Sequence, residues 1–177
     1  MAITRLGPNN STNISGINLT SQVTGTLPTA NGGTGATSFS PGKVLQVVTG
    51  RTESETFTSS STASDLLSVN ITPSATSSKV LIIASVNAIR RDNSNGYLTC
   101  RVTDGSSFSE KLTHAALYNN STGHLRVGGV TGTFVQSPST TSQITYKLQI
   151  SSPNNASVGV CDNNDTNSTL TLMEIAG

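Results

Sequence analysis

The chain has 177 residues and carries 10 Lys+Arg against 9 Asp+Glu, a formal net charge of +1. Only 11% of residues are charged, 33% are hydrophobic and 4% aromatic, and there is no Trp. So neutral a chain lacks the basic footprint of a nucleic-acid or membrane-surface binder, and its longest apolar run, 80–84, is far short of the roughly 18 residues that cross a bilayer. The first ten residues have no apolar h-region, so no secretory leader is expected. Two His and two Cys leave little material for metal or nucleophilic chemistry.

Composition divides the chain near residue 42. Arg5 is the only charged residue before that point. Ile14, Ile17, Leu19, Val23 and Leu27 recur there as isolated apolar residues whose spacing fits neither a helix stripe nor a period of two. Breakers are dense, with Gly16, Gly25, Pro28, Gly32, Gly33, Gly35, Pro41 and Gly42. So little apolar area cannot offset about 1–2 kcal/mol of ordering per residue. A segment nearly free of charge can instead be dried against another surface without burying an ion. Residues 1–42 are therefore read as an extended arm ordered by a partner, and residues 43–177 as one β domain.

From 43 onward the pattern is β. Residues 43–49 form the first candidate strand, and 66–72 follows with Leu67, Val69 and Ile71 on one face. Residues 79–91 open with Val80, Leu81, Ile82 and Ile83, which reads as a central strand buried on both faces. Asn95-Gly96 is a hairpin signal, because both residues tolerate positive φ. Next comes 97–103, with Leu98, Cys100 and Val102 inward, then the Asp104-Gly105 turn leading to 108–118. A weak helical alternative covers 109–117. Residues 125–136, 143–151, 156–161 and 169–175 complete the set, with a turn at Pro153-Asn154-Asn155. Abundant Thr and Val favour strands. Eight to ten antiparallel strands predict an all-β, jelly-roll-like β-sandwich. Several strands lack the Lys or Pro that protects an edge, which predicts that neighbouring copies cover them.

Within the arm, residues 23–35 read VTGTLPTANGGTG. This element resembles one found in bacteriophage tail-fibre and other virion fibre proteins. The runs 43–48 (KVLQVV), 69–82 and 168–176 resemble the small globular heads of the same proteins. The resemblance implies a homotrimeric virion protein, assembled in the host cytoplasm, whose arm attaches to a capsid, tail or baseplate component and whose β domain projects as a knob. Ile17, Leu19, Val23 and Leu27 would supply the arm's apolar contacts, and Gly32, Gly33 and Gly35 would let the backbone turn sharply or approach an axis. The element occurs once, which suits a short fibre, spike or decoration (cement) protein better than a long shaft.

The remaining constellations predict no catalysis. His114 and His124 are ten residues apart without the close pairs of a zinc site. Asp65, Asp92, Asp104 and Glu110 are scattered over different turns, whereas a glycosidase needs two facing carboxylates. The run 162–167 lacks the glycine and the terminal Glu of a calcium loop. No G-x-S-x-G elbow occurs. The chain is expected to be non-enzymatic and without metal or cofactor. Cys100 and Cys161 read as small buried side chains. Loops 90–97, 117–124 and 154–167 mix amides, hydroxyls and Tyr, groups suited to a host surface glycan. Asn93, Asn95, Tyr97, Tyr118, Asn120, His124, Asn155 and Asn164 are the candidate contact residues. A carbohydrate-binding module without particle attachment is the alternative.

Overall fold

The chain divides into two units, Met1–Pro41 and Gly42–Gly177. The computed structural model describes residues 43–92, 95–117, 125–161 and 166–177, all within the second unit. The arm residues Ile17, Leu19, Val23, Leu27, Gly32, Gly33 and Gly35, and the loop residues Asn93, Tyr118, Asn120, His124 and Asn164, lie outside the described residues.

The described chain is all-β. Its strands are β1 (Val44–Thr52), β2 (Thr56–Thr58), β3 (Ser64–Ile71), β4 (Lys79–Val86), β5 (Arg90–Arg91), β6 (Gly96–Thr103), β7 (Ser109–Leu117), β8 (Leu125–Arg126), β9 (Val130–Gln136), β10 (Ile144–Ser151), β11 (Val158–Val160) and β12 (Ser168–Ile175). Two four-stranded sheets, β1-β12-β4-β9 and β3-β10-β6-β7, form the sandwich, and a smaller one, β2-β11-β5-β8, is built from short strands. Every pairing is antiparallel. Counting only the eight long strands, the orders become 1-8-3-6 and 2-7-4-5, the jelly-roll arrangement.

Period-two alternation sets what each sheet buries. Val80, Ile82, Ala84 and Val86 of β4 and Leu170 and Leu172 of β12 meet Leu98, Cys100 and Val102 of β6 and Tyr146, Leu148 and Ile150 of β10, all fully buried. Phe108 packs edge-on to both Phe134 and Tyr146, with centroids 6.2 and 6.0 Å apart. At Gly50 an added Cβ would lie 2.5 Å from Val69 Cγ2, so β1 crosses the core closely only because that position lacks a side chain.

Three expectations are corrected and one alternative is set aside. The 79–91 strand stops at Val86, where Ala88 adopts φ 51, and resumes as the separate β5 in the small sheet. Asn95-Gly96 is no hairpin turn: β5 and β6 belong to different sheets, and Gly96 opens β6 under Val158 and Ala156. Residues 109–117 form the strand expected there, and its pairing with β6 sets aside the weak helical alternative. β4 is central but not buried on both faces: Val80 and Ile82 are fully covered, whereas Leu81 and Ile83 are only half-covered on the outer side.

Candidate functional site

The registers define two ends of the sandwich. At the proximal end the chain enters at Lys43, whose carbonyl accepts a hydrogen bond from the Ala176 amide (2.9 Å). Val44 lies opposite Ile175, Ile175 opposite Lys79, and Val80 opposite Gln136. At the distal end Thr52 lies opposite Ser168, Val86 opposite Val130, and Gly96 opposite Leu117.

The predicted loop residues that fall in described chain gather at this distal end. Asn154 Nδ2 donates to the Asn95 carbonyl (2.9 Å), and the Tyr97 amide donates to Asn154 Oδ1 (3.1 Å). Asn155, at φ 57, accepts from the Ser61 amide through Oδ1 (3.2 Å). The Tyr97 ring stacks on His114 at 5.5 Å and 24°, and His114 Nδ1 shares a hydrogen bond with Thr99 Oγ1 (2.7 Å). An amide-rich rim beside a stacked aromatic pair offers donors, acceptors and a flat apolar face. Arg90 of the same predicted loop is engaged within the fold: it lies 4.4 Å over the Phe57 ring and pairs with Glu55 at 2.7 Å and Asp92 at 3.5 Å.

The acidic residues read from the sequence have separate structural partners. Asp65 accepts from Lys147 Nζ (2.7 Å) and Gln149 Nε2 (2.6 Å), which hold its carboxyl below the usual range. Asp104 caps the β6–β7 turn, taking the Ser106 and Phe108 amides on Oδ1 and Gln136 Nε2 on Oδ2. Its burial would raise the carboxyl, but those donors prevail and lower it. A polar cleft of about 360 Å³ opens beside this turn, lined by Asp104, Ser106, Gln136, Thr140, Gln143 and Thr145. Among the described residues no group of three or more His, Cys, Asp or Glu is placed to hold a metal ion.

Sequence reasoning missed Glu174. It is 1% exposed, and its Oε1 accepts from the Ser74 amide (2.7 Å), Ser74 Oγ (2.6 Å) and Ser78 Oγ (2.7 Å). Oε2 accepts from Gln46 Nε2 (2.6 Å). Burial alone would raise this carboxyl; four donors hold it down at about 2. The signal was available: Glu174 falls on the inward phase of β12, where a carboxylate is tolerated only with partners. Arg91, also unforeseen, is fully buried in β5. Cys100 and Cys161 are free and buried, as read, and burial pushes the Cys100 thiol up to about 12.

The two outer faces of the sandwich differ in kind. On the β3-β10-β6-β7 sheet, Arg101 Nε donates to Gln149 (2.8 Å), and Asp65 ties Gln149 to Lys147, a charged network suited to water. On the β1-β12-β4-β9 sheet, the cross-strand registers place Val47, Met173, Leu81 and Val135 in one row. Thr49, Thr171, Ile83 and Thr133 form the next row, and Arg51, Thr169, Ser85 and Thr131 the third. Val47 is 55% and Val135 58% exposed. Val44 and Leu45, at the start of β1, are exposed as well.

No family model matches the chain, and no curated protein sequence matches it. Among solved structures, the infectious bursal disease virus VP2 subviral particle is similar with a TM-score of 0.38 and 17% identity, covering 75% of this chain and 37% of that one. The structure of the Gx strain of the same virus is similar with a TM-score of 0.35 and 12% identity, covering 75% of this chain and 40% of that one. Both similarities are distant, and the chain spans well under half the length of either matched protein.

Proposed function

We propose that this chain is a non-enzymatic structural protein of a bacteriophage particle: a short homotrimeric fibre or spike, held to a capsid, tail or baseplate component through residues 1–42. Its β domain projects as a knob whose distal rim meets a host surface glycan. The observation that carries this reading is the separation of the two ends. The chain enters the domain beside Ala176, whereas Asn95, Tyr97 and Asn155 sit at the opposite end, the disposition a stalked head requires. The arm's fibre-like element at 23–35 and its near-absence of charge support docking on another surface.

A decoration (cement) role on the capsid is the second reading, favoured by the single occurrence of the arm element. Purified particles probed with a gold-labelled antibody against the β domain test both. Label on tail or baseplate, or standing off the capsid, supports the fibre or spike. Label flush on the capsid supports decoration, and particles devoid of the protein would refute both.

A further inference from the structure

We infer that the outer face of the β1-β12-β4-β9 sheet is the surface through which three copies of the β domain pack around a common axis, β1 of one copy lying beside β9 of the next. This deepens the homotrimer reading proposed above and rests on it.

Four observations carry it. First, the Val80–Ile83 run has the composition of a strand covered on both sides, yet the domain covers only Val80 and Ile82 fully. Leu81 and Ile83 point to the outer face, so the sequence is written for a covering that one copy does not supply. Second, the middle of that face is dry by chemistry. Its charges stand at its two ends: Arg51, which pairs with Glu53 at the distal margin, and the exposed Lys79, opposite Ile175 at the proximal one. Four of the six hydroxyls in its three rows already bond in pairs, Thr49 to Thr171 at 3.1 Å and Thr131 to Ser85 at 3.2 Å, so water can leave these four without orphaning them. The opposite sheet, with its Asp65–Lys147 and Arg101–Gln149 contacts, shows what a solvated face of this protein looks like.

Third, the exposed apolar residues mark both edges. Val47 on β1 and Val135 on β9 are the outermost members of one row, and neither strand contains Lys or Pro to shield its edge. Three antiparallel steps separate β1 from β9, so the two strands run in opposite directions. Around an axis along the strands, β1 of one copy therefore meets β9 of its neighbour antiparallel, in the sense an antiparallel ladder uses.

Fourth, the dimensions close. Four strands spaced about 4.8 Å apart make a strip about 19 Å wide, and three such strips closing a triangle leave about 5.5 Å from each sheet to the axis. That is close to half the ~10 Å spacing of packed sheets, the depth one layer of side chains fills. Met173 and Leu81, on the central strands, would fill the axis, and Val47 and Val135 the seams.

Cysteine cross-linking of the full chain tests the arrangement. Within one copy, positions 47 and 135 are three strand spacings apart, about 14 Å, beyond the roughly 7 Å Cα separation a disulfide spans. Both side chains are exposed, so the substitutions leave the fold intact, and the native Cys100 and Cys161 are buried. The Val47→Cys, Val135→Cys double variant is expected to give, on mild oxidation, a covalent ladder that ends at three copies, with each single variant staying uncross-linked. A Val47→Cys single variant that links in pairs would show two-fold packing and overturn the inference. So would a ladder running past three, or no link at all. Absence of links in a protein still found on purified particles rejects this interface but leaves the proposed function standing; a closed three-copy ladder in a protein absent from particles does the reverse.

Discussion

Val47 and Val135 lie at opposite edges of one sheet, joined across it by Met173 and Leu81 in a single cross-strand row. Each is more than half exposed, and the row they end is apolar throughout. A charge at either end is therefore expected to act on association and not on folding. Val135→Lys should weaken self-association of the full chain at least tenfold, read by sedimentation velocity across a concentration series. Its thermal transition at high dilution should stay within about 0.5 kcal/mol of the parent, as for other surface substitutions. A large fall in domain stability with association unchanged would count against the role given to this face.

Glu174 gives the domain an acid-sensitive lock. Its folded carboxyl sits at about 2, against 4.5 for the unperturbed group. A depressed folded value stabilises above the unfolded one, so the contribution is complete above about pH 4.5 and is lost as pH falls through about 2. The size is on the order of 3 kcal/mol, from about 1.4 kcal/mol per unit. Denaturant titrations between pH 2 and pH 6 should show stability falling in this window. Glu174→Gln should flatten the fall while lowering stability at pH 7 by about 2 kcal/mol, because an amide nitrogen then faces a hydrogen-bond donor.

The sheet architecture was legible where alternation is clean. In β10, Tyr146, Leu148 and Ile150 are buried as their phase demands, and in β6 so are Leu98, Cys100 and Val102. What local pattern cannot carry is which strands share a sheet. Asn95-Gly96 has the chemistry of a hairpin turn, yet it passes the chain from the small sheet into a large one. The break after Val86 was hidden for the same reason, since Asn87 and Ala88 interrupt no hydrophobic phase. Of the candidate site, Asn95, Tyr97 and Asn155 are brought to one end as their turn positions suggested. Glu174 was passed over because its donors, Ser74, Ser78 and Gln46, are 96 to 128 residues away in sequence.

Gly50 is expected to resist even the smallest enlargement. A Cβ there would meet Val69 Cγ2 at 2.5 Å, and Val69 is a stiff, buried, β-branched side chain. Gly50→Ala should cost about 1–3 kcal/mol, seen as a lowered midpoint in urea. Unchanged stability would show that β1 can shift outward, and with it the row that begins at Val47.

Cys100 and Cys161 should be inert in the native domain. Both are buried and free, and Cys161 Sγ lies 3.1 Å from Ser168 Oγ. Labelling with a thiol reagent at pH 8 should be slow in buffer and should reach two groups per chain in strong denaturant. Rapid native labelling would mean that the sandwich opens locally far more readily than its packing implies.

Light scattering of the full chain at micromolar concentration asks most directly whether neighbouring copies complete this surface. A mass near three times 18.2 kDa is expected, holding on dilution until the row ending in Val47 and Val135 is exposed. A single-copy mass at the same concentration would contradict both the trimer and the face assigned to it.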